Sequence, residues 1–272
     1  MSVPPCAAAA SLKIPVFTHE SDYSPGLATR INGRFAQKVF IPYRESAIFF
    51  PGRAAGKICV SGNPIRPEFA DADPAKGRAF LTIGDDERIL LVLGGSQGSR
   101  EINELVWACL PELTRRYTVI HQTGDDSAQS TGTGHYRPFA YFHEELPHIL
   151  AAAELVICRS GAGTIWECAS LRKPMVLIPL RGSGTRGDQV ENARIFREAG
   201  AAICFTPEAD RAVSAGKFSA LVTSLADDPG KRQDMSSSDI TGAADCKVSG
   251  AAAFIAEEIH AEIIRKTGRE HE

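Results

Sequence analysis

The sequence contains no apolar run approaching the roughly 18 residues that a bilayer-spanning helix needs. Its start, Met1-Ser2-Val3-Pro4-Pro5-Cys6, lacks the charged segment and long apolar stretch of a secretory leader. A soluble chain, or one resting on a membrane surface, is expected. The seven cysteines show neither CxxC nor Cys/His ligand spacing, and several sit in apolar runs such as Leu155-Val156-Ile157-Cys158. That excludes a zinc ribbon or disulfide scaffold and predicts buried thiols in a reducing compartment. A strong charge of either sign is also missing: a net charge of -3 gives no nucleic-acid-binding signature. No GK[ST] follows a glycine loop and no strict GxGxxG opens a helix, so neither a P-loop nor a nicotinamide-binding fold is indicated. Internal repeats and low-complexity arrays are absent. With 43% apolar and 23% charged residues, the composition is that of a folded globular chain and not of a disordered one.

What charge there is lies unevenly. Residues 1–62 carry seven Lys/Arg against three Asp/Glu, a local +4 that leaves -7 for the remainder. A solvated basic face and an attachment site for an anionic leaflet or phosphates both fit this bias, and charge alone favours the first.

Short β-branched runs alternate with helical patterns: Ile14 to Thr18, Lys38 to Ile41, Lys57 to Val60, Arg88 to Leu93, Tyr117 to His121, Leu155 to Cys158, Met175 to Pro179 and Ala201 to Phe205. This predicts an α/β fold of doubly wound parallel sheets. An alanine-rich helix, Cys6 to Lys13, precedes the first strand. Ile102, Leu105, Val106, Cys109 and Leu113 recur at helical spacing, with Pro111 expected to bend or end that helix early. A last helix, Ala251 to Ile264, is expected to gather Ala252, Ile255, Ile259 and Ile263 on one face. The stretch from Gly62 to Asp86 has no periodic core pattern and reads as the boundary between two blocks.

Three glycine-rich turns follow strands. Gly94-Gly95-Ser96-Gln97-Gly98-Ser99-Arg100 and Arg159-Ser160-Gly161-Ala162-Gly163-Thr164 each lead into a helix whose free N–H groups suit a phosphate. A plain βα turn is the alternative for either alone, but two on the carboxyl edge of one sheet suggest a single diphosphate-bearing ligand. Glu167, one turn beyond Thr164, is placed to accept hydrogen bonds from a ribose diol. Arg181 to Asn192 forms the third cluster, with polar groups suited to sugar hydroxyls, or simply a helix start capped by Asp188. Asp71-Ala72-Asp73 has the look of an acidic metal-holding pair, but it sits in an irregular linker and is read as structural. His19, His121, His143 and His148 show no metal-ligand spacing and are read the same way. Arg265-Lys266 and the C-terminal residues beyond them read as a frayed helix end.

Taken in order, five runs resemble the MurG family: His19-Glu20-Ser21-Asp22-Tyr23-Ser24-Pro25-Gly26-Leu27-Ala28, Gly62-Asn63-Pro64-Ile65-Arg66, Gly94 to Arg100, Cys158 to Thr164 with Glu167, and Arg186-Gly187-Asp188-Gln189 with Asn192. That family transfers N-acetylglucosamine from UDP-N-acetylglucosamine to lipid I, forming lipid II in peptidoglycan synthesis. The resemblance implies a GT-B fold of two Rossmann-like domains. Residues 1–62 would be what remains of the acceptor and membrane-side domain, 63–248 the UDP-sugar domain, and 249–272 a helix returning toward the first. It implies Arg66 and Ser96 on the diphosphate with the amides of Ala162, Gly163 and Thr164, the backbone at His143 on uracil, Glu167 on the ribose and Gln189 on the sugar. Asp22, Gly95, Gln97, Asp188 and Asn192 are further candidates; Asp188 stands where some members carry a second glutamine and Asp22 where many carry asparagine. Inverting transfer, neither metal nor cofactor, no nucleic-acid partner, and a peripheral position on the cytoplasmic side of the membrane follow from the same resemblance.

One departure is large. The glycine- and histidine-containing loop that opens family members, with roughly 90 residues of the usual length, is missing, and no catalytic residue is assigned. An N-terminally shortened transferase is therefore expected. The rival is a non-catalytic UDP-sugar-binding module, or half of a split enzyme.

Overall fold

A computed structural model describes residues 2–95, 98–124, 134–182, 185–240 and 250–267. The chain divides into two compact units, one of Met1–Ile65 with Thr241–Glu272, the other of Arg66–Ile240.

The first unit carries α1 (Val3–Ser11), β1 (Phe17–His19), α2 (Leu27–Phe35), β2 (Lys38–Ile41) and β3 (Ile58–Val60) in a parallel sheet ordered β1-β2-β3. Val39 and Ile41 alternate toward Val16, Ala36 and Phe50, and the small residues Cys6, Ala9 and Ala10 let α1 lie close against that core. The helix Ala251–Thr267 belongs to the same unit and pairs its Glu258 with Lys38 of β2. Its covered face runs through Ala251, Ile255, Glu258, Ile259 and Glu262, while Ala252 and Ile263 are exposed. The face expected from the sequence is thus rotated, because the helix seats two glutamates that an apolar-only pattern leaves out.

In the second unit α3 (Pro74–Leu81) precedes a six-stranded parallel sheet. Along the chain come β4 (Ile89–Leu93), α4 (Arg100–Leu113), β5 (Thr118–Gln122), β6 (Tyr136–Phe139), α5 (Leu146–Ala152), β7 (Leu155–Cys158), α6 (Ala162–Ser170), β8 (Met175–Leu177), α7 (Asp188–Glu198), β9 (Ala202–Cys204), α8 (Arg211–Asp227) and α9 (Pro229–Ser237). The order is β6-β5-β4-β7-β8-β9. β4 and β7 are buried at every position, as central parallel strands covered on both faces must be. One face packs Leu90, Val92, Leu155, Ile157 and Val176 against Val106, Cys109 and Leu113 of α4 and Phe218, Val222 and Leu225 of α8. On α6 and α7, Trp166 and Phe196 meet edge to face, ring centroids 6.0 Å apart.

All eight strands expected from the sequence form, β2 and β7 with the expected bounds and the others with at least one end shifted by one to three residues. Three features differ. β6 is additional: Pro138 hides it from a strand pattern, and its edge position is where a residue without an N–H is tolerated. Helix α4 runs through Pro111 to Leu113, since the lost hydrogen bond falls in its last turn. The boundary stretch contains α3, whose N-cap is Asp73: the carboxylate accepts from Ala75 N at 2.8 Å, and Asp73 N donates to His148 Nδ1 at 3.0 Å. Gly77 is what brings α3 onto α5, because a Cβ there would lie 2.2 Å from the His148 carbonyl oxygen.

A polar chain crosses this unit. His121 Nε2 lies 3.1 Å from Asn103 Oδ1 and Nδ1 lies 3.2 Å from the Tyr136 hydroxyl, to which Trp107 Nε1 also donates at 2.8 Å. The neutral imidazole fits, Nε2 donating and Nδ1 accepting, and burial lowers the His121 pKa from 6.5 to about 4. The unfolded chain therefore binds this proton first: stability is complete above pH 6.5 and falls between 6.5 and 4, by up to about 3 kcal/mol. Urea unfolding at pH 7, 5.5 and 4 should show that slope in the second unit, and His121→Phe should remove it while lowering the plateau. An unchanged slope in the variant would place the proton elsewhere.

Candidate functional site

The strand order reverses between β4 and β7, whose ends are paired in register, Leu93 beside Cys158. Ligands of open α/β sheets bind outside the carboxyl ends at such a switch point. Both glycine-rich turns start there.

In the first turn Gly98 has φ +74°, and a Cβ on it would fall 2.3 Å from the Thr123 carbonyl oxygen; one on Gly94 would fall 2.6 Å from Ser99 N. Glycine is thus required for the turn to lie against the end of β5. Ser99 caps α4, its hydroxyl accepting from Ile102 N at 3.4 Å. Ser96 and Gln97, both expected to line the site, lie outside the described residues. In the second turn Gly161 is the N-cap of α6 and offers no side chain to its first-turn amides, those of Ala162, Gly163 and Thr164. Those N–H groups have no partner from within the helix, and there is open space where a Cβ would stand on Gly161 or Gly163.

Arg159 joins the turns. Nη2 donates to Ser99 Oγ at 2.7 Å, and Nη1 to Glu101 Oε2 at 2.7 Å and the Ile178 carbonyl at 3.0 Å. A cation is thereby fixed beside the positive end of α4, its charge offset in part by Glu101 in the first turn of that helix. Ser160, fully buried, donates to the Gln189 carbonyl at 2.7 Å and accepts at its own carbonyl from Asn192 Nδ2 at 3.2 Å. Asn192 is itself fully buried, so it braces this turn from below.

Glu167 and Arg66 come together, Nε to Oε1 at 2.7 Å, the arginine side chain 51% exposed and the glutamate 14%. The guanidinium lies 4.9 Å from the centre of the Phe69 ring, and its hydrogen bond to Glu167 raises the Arg66 pKa further. Glu167 keeps acceptor capacity beyond this one bond. Gln189 is partly committed, its Oε1 accepting from Leu180 N at 3.0 Å. Asp188 pairs with Arg186 at 3.2 Å and is the first residue of α7; the N-cap is Gly187, φ +77°. His143 N donates to Glu145 Oε2 at 3.2 Å, and its ring meets Tyr141 at 4.9 Å between centroids.

Asp22 belongs to the first unit, in the loop after β1. Glu20, which sequence reasoning passed over, organises that loop: Oε1 accepts from Ser21 N at 3.0 Å and Asp22 N at 3.3 Å, and Oε2 from Gly26 N at 3.0 Å. Gln122 was also missed. Its Nε2 donates to the Gly95 carbonyl at 3.1 Å and its Oε1 accepts from Phe142 N at 3.2 Å. Neither has a sequence signal, because each acts on backbone groups. A cleft of about 710 Å³ along α4 and the start of α8, lined by Glu104, Trp107, Pro207 and Arg211 among others, includes none of the candidate residues. Among the described residues no group of three His, Cys, Asp or Glu is placed to hold a metal, and no helix is long and apolar enough to cross a membrane.

The glycosyltransferase family 28 C-terminal domain matches residues 89–248, more than half of the chain. The chain belongs to glycosyltransferase family 28. The family's N-terminal domain matches residues 1–41. A relative from Treponema denticola, a UDP-N-acetylglucosamine--N-acetylmuramyl-(pentapeptide) pyrophosphoryl-undecaprenol N-acetylglucosamine transferase, is 42% identical over 215 residues, 74% of this chain and 55% of that protein. A Bacillus cereus transferase of the same name, numbered 2, is 42% identical over 192 residues, 69% of this chain and 53% of its own. The family 28 chain thus spans about half the length of the curated relatives it matches. Among solved structures, Acinetobacter baumannii MurG aligns with TM-score 0.68 at 21% identity, over 96% of this chain and 70% of that one. The calicheamicin glycosyltransferase CalG4 aligns with TM-score 0.64 at 14% identity, over 95% and 70%. The fold is GT-B, as the motifs implied.

Proposed function

We propose that residues 66–240 form the UDP-N-acetylglucosamine-binding domain of an enzyme that transfers N-acetylglucosamine to lipid I, giving lipid II. The observation that carries this reading is the switch point bounded by two glycine-rich turns, with the Arg66–Glu167 pair in the same unit. In the proposed reaction the muramoyl C4 hydroxyl attacks the anomeric carbon and gives up its proton to a general base, the bond from that carbon to phosphate oxygen breaks with inversion, and the electron pair leaves on UDP. Amides at the start of α4 and α6 suit the charge that grows there. Ser96 and the amides of 162–164 would take the diphosphate, the backbone at His143 the uracil, Glu167 the ribose and Gln189 the sugar. The acceptor is proposed to meet the first unit at the inner leaflet, a reading supported by the +4 charge of residues 1–62 and by exposed Leu12, Leu27 and Ile48.

Calorimetry on the 272-residue chain should show UDP-N-acetylglucosamine binding more tightly than UDP-glucose, and NAD not at all. No binding by a folded chain would refute the donor assignment. Transfer of labelled sugar to lipid I in the same preparation tests the reaction. Binding without transfer favours a sugar-binding module or half-enzyme, a reading supported by an N-terminal family match confined to residues 1–41.

A further inference from the structure

We propose that Gln122 is a positioning residue that sets the separation between the diphosphate turn and the uracil-binding segment. The proposal rests on the donor-site reading and deepens it. Gln122 ends β5 with its side chain buried, 4% exposed. One carboxamide holds both segments, donating to the Gly95 carbonyl and accepting from the Phe142 amide, the residue before His143. The two segments differ in how they are held. Gly95 has φ +91° with open space where a Cβ would stand and is held through its carbonyl, whereas Phe142 is anchored by its buried ring, 4.8 Å from that of Phe139. Beneath this bridge the frame is fixed: Thr123 N and Oγ1 both donate to the Phe139 carbonyl, at 2.8 and 3.2 Å, and Asn103 Nδ2 donates to the Thr123 carbonyl at 2.9 Å. The carboxamide thus ties the start of the glycine-rich turn, whose Gly95 carbonyl also accepts from Gly98 N at 3.1 Å, to the fixed strand end. A nucleoside diphosphate must span that link, since its base and its phosphates are covalently joined.

The chemistry of the link gives the test. A carboxamide offers a donor and an acceptor at the same reach; a carboxylate offers acceptors alone, and a protonated carboxyl restores one donor and one acceptor. Gln122→Leu should weaken UDP binding about tenfold, as expected when the buried Phe142 amide loses its partner and the part-buried Gly95 carbonyl loses one of two. Gln122→Glu should be as weak at pH 8 and approach the parent at pH 5, since burial and the facing Gly95 carbonyl disfavour the carboxylate and raise the pH at which it takes up a proton. The flanking titratable groups, His121 on β5 and Tyr141, His143 and Glu145 around Phe142, are common to parent and variant. The ratio of affinities at each pH therefore isolates position 122.

Titration of the full chain with UDP at both pH values, with circular dichroism on each sample, decides the matter. Recovery on acidification within one polypeptide is not an effect of a chain that failed to fold. Parent-like binding by both variants, or a Gln122→Glu deficit equal at pH 5 and pH 8, would overturn the proposal and leave the donor reading intact. Absence of UDP binding by the parent would overturn both.

Discussion

Glu167→Ala is expected to weaken UDP-N-acetylglucosamine binding about a hundredfold while leaving the melting temperature nearly unchanged. The affinity loss has two sources. A carboxylate accepting from ribose hydroxyls makes charge-assisted bonds, each worth about 1.5–3 kcal/mol. Its removal also frees Arg66, whose Nε is held at 2.7 Å, so the cation proposed to meet the diphosphate loses its orientation. Stability should hardly move, since half of the Arg66 side chain is open to water and such pairs contribute about 0–1 kcal/mol. Glu167→Gln should fall between, keeping an acceptor without the charge. Calorimetry alongside a thermal melt separates these effects. An alanine variant binding within about threefold of the parent would remove Glu167 from the donor site.

Gly98→Ala should combine loss of binding with loss of stability. Its φ of +74° costs an L residue about 1–2 kcal/mol. The added methyl would also stand 2.3 Å from the Thr123 carbonyl oxygen and 3.0 Å from Gly124 Cα, both backbone, so no side chain can swing away. Overpacking of this kind costs about 1–3 kcal/mol. At about 2–4 °C per kcal/mol for a unit of this size, the melting transition should drop by about 10 °C. The turn, pushed off the end of β5, should lose UDP affinity as well. Gly95→Ala is the control. Its φ of +91° is equally unfavourable but its surroundings are open, so the drop should be about half as large. Equal melting temperatures for the two variants would show that close approach to Thr123 is not what position 98 provides.

The strands legible in the sequence are those whose apolar runs face helices on both sides. Leu90, Leu91 and Val92 read the same from either face, and no slip of pattern was possible. Tyr136-Arg137-Pro138-Phe139 was illegible because an edge strand needs neither continuous burial nor every N–H. Asp73 was legible as structural and not as a cap, since the helix it starts is held by Gly77 meeting a carbonyl of α5, a contact without apolar periodicity. The site divides likewise. Glycines at a strand end and an acid one turn into the next helix announce themselves by spacing. Glu20, Gln122 and Arg159 do not: Glu20 holds amides of its own loop and Gln122 main chain distant in sequence, neither of which leaves a partner side chain to notice, while Arg159 reaches Ser99 and Glu101 across the sheet edge, a pairing no local spacing announces.

The two units are threaded differently, and this orders their synthesis. Residues 66–240 are contiguous, so everything the sheet from β4 to β9 requires has been made once Ile240 is polymerised. The other unit is interrupted: Lys38 waits for Glu258, a partner translated more than two hundred residues later. A nascent chain paused once residues through Ile240 have emerged would therefore present a finished six-stranded unit together with a three-stranded sheet still open where its closing helix belongs, and that opening is where a chaperone would find it.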